Sequence, residues 1–299
     1  MGGFRINIRC IGHGTPTVIL EAGWEDWSPE WALVQPEVAR FARVCTYDRA
    51  GYGFSDAGPL PRTIDRIVLE LHATLRGAGE PPPYIFAAHS FGGIVARTFA
   101  SRYRNEIAGL VFVDSATEEY LYATATPSQL LDYVQSTQHD LHACYQFAAT
   151  GWSRAPATQR HDCPAQMFRG LPERRFPEAL NIFLWRQALQ ARTYAAVGSE
   201  INDFTADNLH RTLSERKDVG TVPILVLTAG HHERTPHAFE ALWRLFARDL
   251  LSLSTNAHQT IIPNSGHDIE LDRPDLVTAA IRSEVTFWRR ERMHATQKP

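Results

Sequence analysis

Short apolar runs recur along the chain at intervals that leave room for a helix between them. The candidates are Phe4 to Cys10, TVIL at Thr17 to Leu20, RVCTYD at Arg43 to Asp48, YIFAA at Tyr84 to Ala88, GLVFVD at Gly109 to Asp114, VPILVLT at Val222 to Thr228, and QTIIP at Gln259 to Pro263. Most are continuous rather than alternating, the pattern of strands covered on both faces. The first differs: Phe4, Ile6, Ile8 and Cys10 alternate with polar residues and share one face.

Between these runs the period changes to that of a helix. TIDRIVLELHATLRGAG puts Ile64, Ile67, Val68, Leu71 and Leu75 on one side and stops at Gly77 and Gly79. FGGIVARTFASRY, PHAFEALWRLFARDLL and RPDLVTAAIRSEVTFWRRER complete the series, the last with Pro274 in its first turn. Strands alternating with helices predict an α/β fold, a mostly parallel central sheet with helices on both faces.

One stretch breaks the alternation. From Ala116 to about Gly220 no strand pattern occurs, only helix-like segments such as SQLLDYVQSTQHDLHACYQFAA and PEALNIFLWRQALQARTYAAV. A structureless loop of ~100 residues does not suit a compact domain. The expected organisation is a core formed by residues 1–115 and 221–299, with 116–220 a helical cap inserted between two strands. The tail MHATQKP is expected to lie outside any element.

Composition narrows the partners. With 30 basic and 33 acidic residues, net −3, the chain lacks the footprint of a nucleic-acid or anionic-membrane binder, and a small-molecule substrate fits better. A monomer or homodimer is expected. Cys10, Cys45, Cys144 and Cys163 are scattered without zinc-site spacing and are expected as free thiols. The first residues lack the apolar core of a signal peptide and no run reaches membrane-spanning length, so a cytoplasmic protein is expected.

The chemistry concentrates at AAHSFGG. A strand running into a tight turn, a Ser and then a helix exposes a hydroxyl where small neighbours are required, here Ala88, Gly92 and Gly93. The helix that follows aims its N-terminus at that hydroxyl and favours an oxyanion there. His89 is expected to point away and pack. His231 and His232 are adjacent, poor spacing for a metal with Glu233, and read as a solvated loop.

AHSFGG together with TYDRAGYGFSD at Thr46 to Asp56 and NSGHDIELDRPD at Asn264 to Asp275 resembles the α/β-hydrolase family, in the family's order and from about Phe4 to Trp288. The resemblance implies a metal-free, cofactor-free serine hydrolase with Ser90 as nucleophile and His267 as general base. Two carboxylates compete for the third place. Asp114 ends the strand 24 residues past Ser90, where some members carry the acid; Glu233 lies where most members carry an Asp. Asp114 is preferred, because a short carboxylate at a strand end is easily fixed against an imidazole.

The family's oxyanion loop corresponds to EAGWEDWSPEW, which implies the backbone amides of Trp24 and Phe91 as oxyanion donors. Trp24, Trp27, Tyr122 and Trp185 are candidates for lining an apolar or aromatic substrate pocket. The implied reaction is hydrolysis of a carboxylic ester or lactone. The same constellation also suits a thioesterase, an amidase, a C–C bond hydrolase or a hydrolase-like small-molecule receptor. An Asp at the elbow, which dehalogenases and epoxide hydrolases use, is replaced here by Ser90.

Overall fold

A computed structural model describes residues 3–118, 125–156, 158, 162–163, 173–232 and 237–296. Among the described residues seven strands form one sheet: β1 (Ile8–Ile11), β2 (Thr17–Glu21), β3 (Arg43–Tyr47), β4 (Tyr84–His89), β5 (Ile107–Val113), β6 (Ile224–Ala229) and β7 (Ala257–Ile262), in the order β1-β3-β2-β4-β5-β6-β7. β1 pairs antiparallel with β3 and every other pairing is parallel. The mostly parallel α/β sheet expected from the apolar runs is observed, and it fits the α/β-hydrolase fold that the motif resemblance implies.

The sheet is covered twice, and the strand period of two sorts its side chains. Ile19, Tyr84, Phe86, Leu110 and Phe112 face one core, with Ile67, Leu71, Val95 and Phe99 from α2 (Ile64–Gly77) and α3 (Gly92–Arg102). Their neighbours Val18, Leu20, Ile85, Ala87, Val111 and Val113 face the other, with Val34 and Val38 beside α1 (Gln35–Val38) and Val277, Ile281 and Val285 of the C-terminal helix. Each large apolar side chain so buried contributes about 1.5–3 kcal/mol. The continuous apolar runs of β2, β4 and β5 follow from this double coverage.

Helix ends are set by local chemistry. Thr63 caps α2 by accepting from the Arg66 amide at 3.3 Å, and Gly79, at φ +72°, turns the chain after its last turn. Between β5 and β6 the described elements are helical: α4 (Pro127–Thr150), opened by a Thr126/Gln129 capping box, α5 (Glu178–Gln187), α6 (Ala191–Glu200) and α7 (Ala206–Ser214). Trp27 and Tyr52 of the core loops pack into a third cluster with Leu141, Leu184, Tyr194 and Val197 from these helices. After β6 come α8 (His237–Asp249), α9 (Ile269–Asp272) and α10 (Pro274–Thr296). Thus α10 continues through Met293 to Thr296, beyond the expected end of regular structure.

The cysteines correct a sequence expectation. Cys10 is disulfide-bonded to Cys45 and Cys144 to Cys163, and none is free. Cys10 and Cys45, 35 residues apart, face one another as register partners across β1 and β3, with Cα atoms 4.0 Å apart. Spacing along the chain conceals this; pairing across the sheet creates it. No described helix is long and apolar enough to cross a membrane.

Candidate active site

Ser90 follows the last residue of β4 and has φ +49°, in the left-handed region that L side chains rarely adopt. The surroundings hold it there: its amide donates to Val113 O at 3.2 Å, and its carbonyl accepts from Gly93 N and Ala116 N, both at 3.0 Å. A Cβ on Gly92 would lie 2.7 Å from Ala22 O, and one on Gly93 would lie 2.4 Å from Ser115 Cβ. Glycine at both positions lets α3 begin directly against β2 and the loop after β5.

Ser90, His267 and Asp114 stand in a hydrogen-bonded line. His267 Nε2 lies 3.0 Å from Ser90 Oγ, and His267 Nδ1 lies 2.7 Å from Asp114 Oδ2. Asp114 is fully buried, with φ +39°, at the C-terminal end of β5. Its carboxylate also accepts from Ala229 N at 2.8 Å, Trp243 Nε1 at 2.9 Å and His232 Nε2 at 2.7 Å. Burial alone would raise its pKa, yet the hydrogen bonds from His232 and His267 hold it well below the ordinary carboxylate range. An ionised Asp114 accepts from His267 Nδ1–H, which leaves the Nε2 lone pair for the Ser90 hydroxyl proton.

His232 is the main addition to the sequence reading. It is not part of a solvated loop; it shares the Asp114 carboxylate with His267. Nothing in the HH dipeptide signals this, since the partner is 118 residues away. Glu233, the competing carboxylate, and Tyr122 lie outside the described residues.

The loop after β2 packs against the nucleophile: a Cβ on Gly23 would lie 3.4 Å from Ser90 Cβ and 3.0 Å from His89 Nδ1. Buried Arg49, from TYDRAGYG, donates to Ala22 O at 2.9 Å and Gly23 O at 2.7 Å, and pairs with Glu21 and Glu200. In a trans peptide the N–H points opposite the carbonyl, so anchoring Gly23 O to Arg49 turns the Trp24 amide the other way. Glu200 ends α6, so Arg49 also joins this loop to the inserted helices.

The remaining aromatic candidates divide. The Trp24 ring is partly buried, donates to Val197 O at 3.4 Å and meets Phe204 edge-on. Trp27, 2% exposed, is a core side chain with no open face. Trp185 is half-buried on α5. A groove of about 360 Å³ lined by Asp65, Arg97, Arg102, Arg211 and Lys217 lies apart from Ser90 and does not include it.

Three described groups of side chains have metal-ligand types within reach of one another: Cys10/Cys45/Glu80, Asp114/His232/His267 and Glu30/His89/Glu270. The first is closed by its disulfide. The second is the hydrogen-bonded cluster just described.

Comparison with known proteins places this geometry. The family model described as "Alpha/beta hydrolase family" matches residues 11–280. An AB hydrolase superfamily protein of Gibberella zeae is 27% identical over 288 residues, 92% of this chain and 87% of that protein. A thermophilic esterase from Thermogutta terrifontis superposes with a TM-score of 0.67 at 18% identity, covering 95% of this chain and 94% of its own. A Bacillus megaterium epoxide hydrolase superposes with a TM-score of 0.68 at 14% identity, covering 95% and 98%. At such identities these two structures speak for the fold alone.

Proposed function

This chain belongs to the alpha/beta hydrolase family, and from that premise we propose that it is a serine hydrolase of carboxylic esters or lactones with an apolar or aromatic body. The observation that carries the reading is the line from Ser90 Oγ through His267 to buried Asp114. His267 Nε2 takes the hydroxyl proton as Ser90 Oγ attacks the carbonyl carbon, and Asp114 stabilises the imidazolium that results. The Phe91 amide, at the start of α3, and the Trp24 amide receive the developing oxyanion. The alcohol leaves with the proton from His267. Water, deprotonated by the same imidazole, then releases the acid and restores Ser90.

The described helices of the 116–220 insertion, α4 to α7, form the cap over this centre, with Trp24 and Trp185 contributing apolar surface to the substrate. Trp27 supports the cap from within the core rather than touching substrate. The reaction as written uses no cofactor, and the partner is a small molecule acting on a monomer or homodimer. Two disulfides favour an oxidising compartment over the cytoplasm.

A panel of p-nitrophenyl esters of increasing chain length, with aryl lactones, tests the assignment on wild type and Ser90→Ala. Multiple turnovers lost in Ser90→Ala support it. No turnover of any ester or lactone in the panel contradicts it.

A further inference from the structure

We propose that Glu30, His89 and Glu270 bind one divalent first-row cation of the Mn²⁺ or Zn²⁺ class, directly behind the nucleophile. The three come from separate segments: Glu30 from the turn after the Trp24 loop, His89 from the end of β4, and Glu270 from α9, just past His267. They are 7%, 2% and 0% exposed, and one potential ligand atom of each lies within 4.8 Å of the others.

Glu270 is the observation that calls for a ligand. Neither of its carboxylate oxygens has a hydrogen-bond partner although both are buried, and Oε1 faces His89 Nδ1 at 3.9 Å. A carboxylate buried without a donor is strongly disfavoured as the anion until a cation meets it. His89 is prepared to share that cation. Its Nε2 donates to His267 O at 3.1 Å and, without an ion, its Nδ1–H donates to Glu30; a bound ion takes the place of that proton on the Nδ1 lone pair.

Size and charge agree. An ion bonded to two ligands at about 2.1 Å separates them by about 3.4 Å at a tetrahedral angle and about 4.2 Å when they are opposed, a range that contains the His89–Glu270 spacing. Glu30, in close contact with Nδ1, moves back to become the third ligand. Two carboxylates balance a dication, and a mixed carboxylate–imidazole set suits Mn²⁺ or Zn²⁺. Among the charged groups acting most strongly on His89 and Glu270 is Asp268, which deepens the negative potential there; no Lys or Arg is among them.

The ion does no chemistry on substrate. Glu30 Oε2 also accepts from Gly23 N at 3.1 Å, and His89 holds the His267 carbonyl, so a loaded site fastens together the Trp24 loop, the nucleophile turn and the His267 loop. Sequence spacing offers no sign of it, because Glu30 and His89 are 59 residues apart.

The test strips the full-length protein with EDTA, adds MnCl₂ or ZnCl₂, and measures retained metal after gel filtration together with the melting temperature. One equivalent is expected, with a rise of about 4 °C at a hundredfold excess over Kd. Glu270→Gln should abolish both, and His232→Asn, which disrupts the Asp114/His232/His267 group, should preserve both. Anomalous diffraction from a metal-loaded wild-type crystal should place the ion between His89 Nδ1 and Glu270, whatever the variants do. No retained metal, retention undiminished in Glu270→Gln, or an anomalous peak at Asp114 instead would overturn the proposal.

Discussion

His232 and His267 both contact one oxygen of Asp114, each at 2.7 Å. Asp114 therefore orients two imidazoles, and only His267 reaches Ser90. Asp114→Asn exchanges an acceptor for a donor and disfavours the productive His267 tautomer, so kcat is expected to fall by about 10⁴-fold. His232→Asn removes one of several bonds to the carboxylate, about 1–1.5 kcal/mol, and kcat should fall roughly tenfold with KM unchanged. Glu233→Gln should stay active. Steady-state kinetics on one ester decides; a dead Glu233→Gln beside an active Asp114→Asn would transfer the acid role to Glu233.

Arg49→Met should both destabilise the protein and slow it. The substitution leaves Glu21 and Glu200 buried without their cation and frees the carbonyls of Ala22 and Gly23. Breaking a buried ionic cluster costs about 3–5 kcal/mol. A urea unfolding midpoint matching wild type would refute the role given to Arg49.

Stability should depend on pH through Glu284. Burial raises its carboxyl from an ordinary 4.5 to about 7, and Oε2 lacks a hydrogen-bond partner. Below pH 4.5 the group is protonated folded and unfolded, and it changes nothing. Between 4.5 and 7 only the unfolded chain ionises, so stability falls as pH rises and levels off above 7. Glu284→Gln should match wild type near pH 4 and exceed it at pH 8 by up to about 3 kcal/mol. Denaturation at the two pH values measures this; an equal difference at both would contradict it.

The disulfides predict a redox-dependent stability. Thiol titration of the denatured, unreduced protein should find no free cysteine, and reduction should release four. Loop-closure entropy makes each bond worth about 3–4 kcal/mol, so melting in dithiothreitol should occur at clearly lower temperature. Four free thiols before reduction would restore the free-thiol reading.

Much of this architecture is legible in one dimension because burial imposes it locally. A strand covered on both faces must be apolar throughout, so the inner strands stand out, YIFAA and GLVFVD most clearly, whereas the edge strands β1 and β7 keep exposed positions. Ser90 is marked by the small residues its backbone requires, and His267 by its motif. What remains hidden depends on pairing in space. Cys10 meets Cys45 through sheet register; His232 meets Asp114 because the loop after β6 folds over the end of β5; Arg49 gains its meaning from carbonyls at Ala22 and Gly23. Trp27 looked like a pocket wall because an aromatic near a catalytic loop has the same appearance whether it faces substrate or core.

The central claim, that Ser90 is an activated nucleophile, is tested most directly by covalent capture. A fluorophosphonate phosphonylates a serine hydroxyl only where a base removes its proton. Digestion and mass spectrometry should place a single adduct on the tryptic peptide 77–97, at Ser90, with no adduct in Ser90→Ala and labelling slowed in Asp114→Asn. Absence of labelling, or an adduct at another residue that persists in Ser90→Ala, would contradict the account.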